Sequence, residues 1–153
     1  MLRNINSEIA EIYNERFLKL GPTPEASMWF SKTRQIARFD VIFNQLKLLH
    51  QRNSISISDI GCGYGAFLEY LLERKIDEEL SYYGYDVCPE VIKFCKKKYF
   101  ERAFFTQSLS QYMKQILSLC QERLIFFQIR IIMHGRYIFI TLLNYCGLKP
   151  NVQ

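Results

Sequence analysis

Asp59 and Asp86 are the side chains best placed to do chemistry in this sequence, because each closes an apolar run. Asp59 follows the β-branched run Ser54-Ile55-Ser56-Ile57 and stands two residues ahead of Gly61-Cys62-Gly63-Tyr64-Gly65. The helical run Phe67-Leu68-Glu69-Tyr70-Leu71-Leu72 comes next. Strand, glycine turn and helix together let a backbone approach a ligand. Glycine tolerates positive φ and puts no Cβ in the way, and a helix start offers unpaired N–H groups and the positive end of a dipole. Asp86 ends the run Leu80-Ser81-Tyr82-Tyr83-Gly84-Tyr85, the position from which an acid hydrogen-bonds ribose hydroxyls. The two signals in this order point to a nucleoside-containing cofactor.

Gly61, Gly63 and Gly65 read GxGxG, and with Ala66 they also read GxGxxA. The dinucleotide fingerprint accepts that last alanine, so the glycines alone do not select a nucleotide. Asp59 does more to discriminate. At the carboxyl end of a strand and facing the loop, a carboxylate repels a pyrophosphate and attracts an ammonium group. S-adenosylmethionine carries an ammonium, a sulfonium and a carboxylate, and no phosphate. The alternative role for Asp59 is a carboxylate that merely orients the loop.

Asp59-Ile60-Gly61-Cys62-Gly63-Tyr64-Gly65 resembles motif I of class I S-adenosylmethionine-dependent methyltransferases, and Tyr85-Asp86-Val87 resembles the acidic motif after their second strand. The segment from Gly21-Pro22-Thr23-Pro24 through Trp29 to Arg38-Phe39 is similar to the approach to motif I in some bacterial members. The resemblance covers roughly residues 20–105. It implies that the Gly61 and Gly63 backbones line the methionine end of the cofactor and that Asp59 faces its amino group. It further implies that Gly65 allows close packing at the helix entry, that Asp86 binds the ribose, and that Val87 flanks the adenine. Cys62 stands where a small side chain is needed.

The remaining composition bounds the function classes. The chain has 153 residues, the size of one domain. Its opening residues carry Glu8 and no apolar core, unlike a signal peptide, and its most apolar stretch, Leu124 to Leu143, is broken by Arg130, His134 and Arg136. No membrane span is expected. Cysteines 62, 88, 95, 120 and 146 form no CxxC pair, and His50 and His134 are far apart, so nothing has metal-ligand spacing. An odd cysteine count without a secretion signal favours reduced thiols and a cytoplasmic location. The net charge of +5 is uneven: residues 1–90 hold 10 basic and 13 acidic side chains, net −3, and residues 91–153 hold 10 and 2, net +8. A basic end admits nucleic acid as a partner. However, no aromatic-basic recognition motif supports that, and Lys96-Lys97-Lys98 falls where the last turn of a helix favours cations.

Hydrophobic spacing places the elements around these motifs. Residues 5–20 form an amphipathic helix through Ile9, Ile12, Tyr13, Phe17 and Leu20, ended by Gly21-Pro22. A second helix spans Lys32 to His50, with Ile36, Phe39, Ile42, Phe43, Leu46 and Leu49 on its apolar side. Arg34 and Arg38 lie four apart on that helix, and Arg38 in particular can reach a cofactor carboxylate if the helix caps the site. Trp29, just before it, either roofs the pocket or packs. Strands are expected at Ile55–Ile60, Leu80–Asp86, Ala103–Thr106 and Arg123–Ile132, and helices at Gly65–Lys75, from Pro89, and at Leu109–Gln121. Asp77-Glu78-Glu79 is a solvated connection, and Tyr137–Tyr145 is either a strand or a buried helix.

This alternation predicts an α/β fold, a Rossmann-like mostly parallel sheet flanked by helices, with ligand at the carboxyl ends of the first two strands. It is incomplete relative to the seven-stranded methyltransferase fold. The expected organisation is a single domain over 1–153: an N-terminal helical cap (1–50), a cofactor-binding βαβαβ core (54–107) and a divergent or truncated C-terminal part (108–153). Two departures from the family pattern fall near that last boundary. Phe105-Thr106-Gln107-Ser108 replaces an acidic residue near the adenine, with Gln107 able to bond the base, and Phe126-Phe127-Gln128-Ile129-Arg130 lacks the usual acceptor-facing motif. An incomplete sheet leaves an edge through which a homodimer could form. Three functions follow: methyl transfer to an unidentified acceptor, a small molecule being favoured, with no catalytic base identifiable; a non-catalytic cofactor-binding or interaction remnant of such an enzyme; and a nicotinamide-dependent oxidoreductase domain.

Overall fold

The computed structural model describes residues 5–49, 55–75, 80–120, 124–133 and 136–145. The expectations for Asp77-Glu78-Glu79, His50, His134 and Cys146, and for the side chains of Leu49, Ile116, Leu119 and Cys120, lie outside the described residues. The elements, in order, are α1 (Ile5–Leu20), a 3-10 turn (Glu25–Ser27), α2 (Lys32–Leu49), β1 (Ile55–Ile60), α3 (Ala66–Glu73) and β2 (Leu80–Tyr85). They continue with α4 (Pro89–Lys98), β3 (Phe104–Thr106), α5 (Leu109–Cys120), β4 (Leu124–Met133) and β5 (Arg136–Tyr145).

The sheet order is β3-β2-β1-β5-β4. β1 pairs parallel with β2, in a register that sets Asp59 beside Gly84, and β2 pairs parallel with β3. These three parallel strands with their helices are the incomplete Rossmann-like core expected. β1 is central, and Ile57, Ser58 and Asp59 in succession are buried, as in a strand covered on both faces. The buried Ser58 hydroxyl is satisfied by Tyr112 of α5. The second strand ends at Tyr85, which leaves Asp86 just past it.

Beyond β1 the sheet changes direction. β5 lies antiparallel beside β1, with Ser56 opposite Leu143 and Asp59 opposite Ile140, and β4 pairs antiparallel with β5. Of the two alternatives for Tyr137–Tyr145, the strand is the one formed.

The helices bury the expected faces with one correction. Leu68 and Leu71 of α3 have no exposed surface; burying such a side chain stabilises by about 2 kcal/mol. Phe39, Ile42 and Leu46 of α2 join the same core. On α1, Ile9, Tyr13 and Phe17 are half-buried, but Ile12 is 50% and Leu20 38% exposed. The buried stripe of α1 is narrower than its apolar spacing: the helix packs against the 3-10 turn and against α4, where Phe17 and Phe94 make an edge-on ring contact at 5.5 Å. That contact also completes α4. Its N-cap residue, Cys88, gives no side-chain cap. Instead Asn14 Oδ1 of α1 accepts from the Glu90 N–H at 3.2 Å, satisfying one of the amides a helix start leaves open.

Candidate functional site

The loop after β1 is built on three glycines in the left-handed region: Gly61 (φ 80°), Gly63 (φ 52°) and Gly65 (φ 77°). Each meets different surroundings. A Cβ on Gly65 would lie 2.6 Å from Tyr99 Cε2, so the residue must be small. A Cβ on Gly63 would come within 3.3 Å of Ser27 Oγ. A Cβ on Gly61 would meet nothing within 4 Å. Gly61 therefore borders open space, while Gly65 is packed shut, as the close-packing role requires.

Four of the loop amides are bonded within the protein. Gly61 N–H and Cys62 N–H both donate to the Tyr85 carbonyl, at 2.7 and 3.1 Å, and Gly65 N–H donates to the Cys62 carbonyl at 3.1 Å. Gly63 N–H donates to Asp86 Oδ2 at 2.9 Å. The other Asp86 oxygen, Oδ1, accepts from Cys88 N–H at 3.0 Å. From α4, the Cys95 thiol donates to the Gly63 carbonyl at 3.3 Å and the Tyr99 hydroxyl to the Gly65 carbonyl at 3.2 Å. These last two partners are four residues apart, Cys95 in the last turns of α4 and Tyr99 as its C-cap residue.

Above Gly61 lies a cleft of about 540 Å³, including the open space at its mouth. The glycine loop and Asp59 form its floor, α2 contributes Gln35, Arg38, Phe39 and Ile42, and Ser27 and Trp29 close one side. Tyr64 spans the two halves, its hydroxyl donating to Gln35 Oε1 at 3.1 Å. A network between α2 and α3 fixes the height of this roof. Tyr70 hydroxyl and Arg74 Nη2 both donate to Asp40 Oδ1, at 2.5 and 2.9 Å.

The cleft holds one carboxylate and one guanidinium. Asp59 is 4% exposed, and burial pushes its carboxyl up to about 6, against the lowering effect of the hydrogen bond from Tyr82 and with a further rise from Asp86. Arg38 stacks its guanidinium 5.1 Å from the Trp29 ring centre, yet its Nη1 is buried without a hydrogen-bond partner. A buried N–H left open costs about 1–3 kcal/mol, a cost that an acceptor beside it would offset. Arg34, four residues earlier, is exposed over Phe30 instead. The Cys62 thiol is held well above its ordinary range by burial, with Asp86 and Asp59 adding to the rise. It remains protonated, and its value lies in its size.

The structure brings Asp59, Gly61, Cys62, Gly63 and Arg38 to one cleft. Gly65 packs behind it, and Asp86 and half-buried Val87, just past β2, do not line the cleft, although Asp86 is bonded to its Gly63 N–H. Trp29 both lines the cleft and packs, its ring edge-on to Phe39 at 6.4 Å. Gln107 is exposed at the end of β3. Sequence reasoning missed Tyr82, Gln35, Tyr64, Cys95 and Tyr99. Only the last two carried a signal, an i, i+4 pair on the helix after Asp86.

Residues 58–119 match the methyltransferase domain family. Over 58 residues the chain is 36% identical to the protein named Putative methyltransferase Rv1506c from Mycobacterium tuberculosis, a segment that makes up 38% of this chain and 34% of that relative. The chain thus matches about a third of that relative's length. The matched stretch contains both motif I and the acidic motif, whose resemblance to class I methyltransferases it supports. Among the described residues, no helix is long and apolar enough to cross a membrane.

Proposed function

We propose that the cleft binds S-adenosylmethionine and that the chain serves methyl transfer to a small-molecule acceptor. One observation carries the reading: a buried carboxylate, Asp59, and a guanidinium with an unsatisfied buried N–H, Arg38, line the same cleft. A methionine tail presents an ammonium and a carboxylate, the complementary pair. Asp59 accepts from the ammonium, Arg38 Nη1 donates to the carboxylate, and the tail lies over Gly61, where the absence of a Cβ leaves room. Asp86 and Val87, past Gly63, face the ribose and adenine. Each Asp86 oxygen keeps a second lone pair for a ribose hydroxyl.

Bound there, the cofactor supplies an electrophilic methyl group on a sulfonium. The protein's part is to hold the acceptor in line beneath Trp29 and Phe39 and to exclude water, so that proximity and orientation lower the barrier. Asp59 at the floor of the cleft argues against the nicotinamide alternative, because a carboxylate there repels a pyrophosphate.

A second reading, cofactor binding without turnover, is favoured by the antiparallel β5 that occupies the place beside β1. Calorimetry with S-adenosylmethionine and its demethylated product tests the first step. Micromolar binding of both supports the site, and tight NAD binding with no response to either overturns it. Methyl release to candidate small acceptors then separates the enzyme from the binding relative.

A further inference from the structure

On the methyl-donor reading, Asp59 is the anion of the site, and its orientation must be held from behind. We propose that Tyr82 is the positioning residue for Asp59: its hydroxyl, reaching from the neighbouring strand, donates to Asp59 Oδ2 and leaves Oδ1 as the acceptor available to a ligand in the cleft.

The sheet register makes this reach possible. Ile57 pairs with Tyr82 and Asp59 with Gly84, so these four residues share one face of the sheet. Gly84 adds no side chain beside Asp59, and the Tyr82 ring, packed 5.8 Å from the Phe105 ring, extends forward to the carboxylate. The space over Gly84 is filled from elsewhere: a Cβ there would lie 2.5 Å from Phe105 Cδ1 and 3.0 Å from Cys62 Sγ. Tyr82 is 1% exposed and Asp59 4%, so water does not compete for the bond.

The groups around Asp59 leave this duty to Tyr82. Asp86 after β2 opposes its charge. The Cys62 thiol of the glycine loop, the Cys95 thiol of α4 and the Tyr112 hydroxyl of α5 feel its field and are themselves held protonated. Arg38 of α2 lines the same cleft but is stacked on Trp29. The Tyr82 hydrogen bond therefore favours the charged carboxylate where burial and Asp86 disfavour it. It sets the pH below which a cationic ligand loses its partner.

Tyr82→Phe removes the donor and keeps the ring. The first readout is the Asp59 carboxyl titration by carbon NMR in ligand-free protein, where the midpoint is expected to rise from about 6. The second is S-adenosylmethionine affinity, expected roughly eightfold weaker at about pH 6.5 and nearly equal at about pH 8.5, the pattern of a carboxyl moved up by one to two units. An unmoved midpoint, or the same loss at both pH values, overturns the proposal. Site-specific replacement of Tyr82 by 3-fluorotyrosine, a stronger donor of nearly equal size, keeps the fold and should lower the midpoint; a rise overturns it. Absence of cofactor binding by the unaltered chain at any pH would refute the methyl-donor reading, while the titration still decides what Tyr82 does.

Discussion

Gly63 N–H donates to Asp86 Oδ2 at 2.9 Å, fastening the glycine loop after β1 to the residue that follows β2. The two sequence motifs, 23 residues apart, are thus joined by a bond. Asp86 acts as a bracket for the loop as well as a candidate ribose ligand. Asp86→Asn keeps the shape but turns an amide NH2 toward one of two backbone donors. It should destabilise the protein by about 1–3 kcal/mol, read as a lower urea midpoint with an unchanged slope. An unchanged midpoint would mean that the bracket does not hold the loop.

Asp59→Asn should do the opposite. The Asp59 carboxyl rises from 3.8 to about 6 on folding, so between those pH values the folded state binds more protons than the unfolded one. Stability therefore falls as pH rises through that window, and above it the charge costs on the order of 3 kcal/mol. The asparagine variant should melt higher than the parent at pH 7, the gap closing as pH drops toward 3.8, and should lose S-adenosylmethionine affinity. A thermal melt series across pH gives the answer.

The loop glycines should separate strain from ligand space. Alanine at Gly61 or Gly65 incurs about 1–2 kcal/mol for its left-handed backbone. Gly65→Ala also drives a methyl group to 2.6 Å from the Tyr99 ring, whereas Gly61→Ala meets open space. The first variant should fold poorly; the second should fold and bind cofactor at least tenfold more weakly. Denaturation and calorimetry on the same preparations distinguish them.

Arg38→Met keeps the stem over Trp29 and removes the unsatisfied Nη1. Stability should hold or rise slightly, while affinity for S-adenosylmethionine falls by about 2 kcal/mol, as when a charge-assisted hydrogen bond is lost. Arg34→Met, on the solvent side of the same helix, is the control and should change neither by more than about 0.5 kcal/mol. Equal losses from the two variants would remove Arg38 from the site.

The helices and parallel strands of the core were legible because their signals are local. Pro89 opens a helix, Gly21-Pro22 ends one, and the β-branched residues of β1 and the aromatics of β2 alternate around the motifs. The antiparallel placement of β5 was not legible, since an apolar run such as Tyr137–Tyr145 carries no information on which strand it joins or in which direction. In the site, Asp59 and Arg38 could be named from residue type and spacing. Tyr82 could not, because its hydroxyl matters through a cross-strand register that only pairing fixes. The outward turn of Ile12 is similar: its apolar character says nothing of which side of α1 the rest of the chain covers.

The β1–β5 pairing also has a consequence for assembly during synthesis. Ser56 finds its partner in Leu143, more than half the chain later, whereas β1 and β2 are joined through one short helix. Ring-closure entropy rises with the intervening length, so the βαβ unit condenses early and the distal ribbon docks last. Until it does, the flank of β1 that carries Asp59 is an open seam in the nascent chain, the point at which a chaperone or a stray strand would engage first.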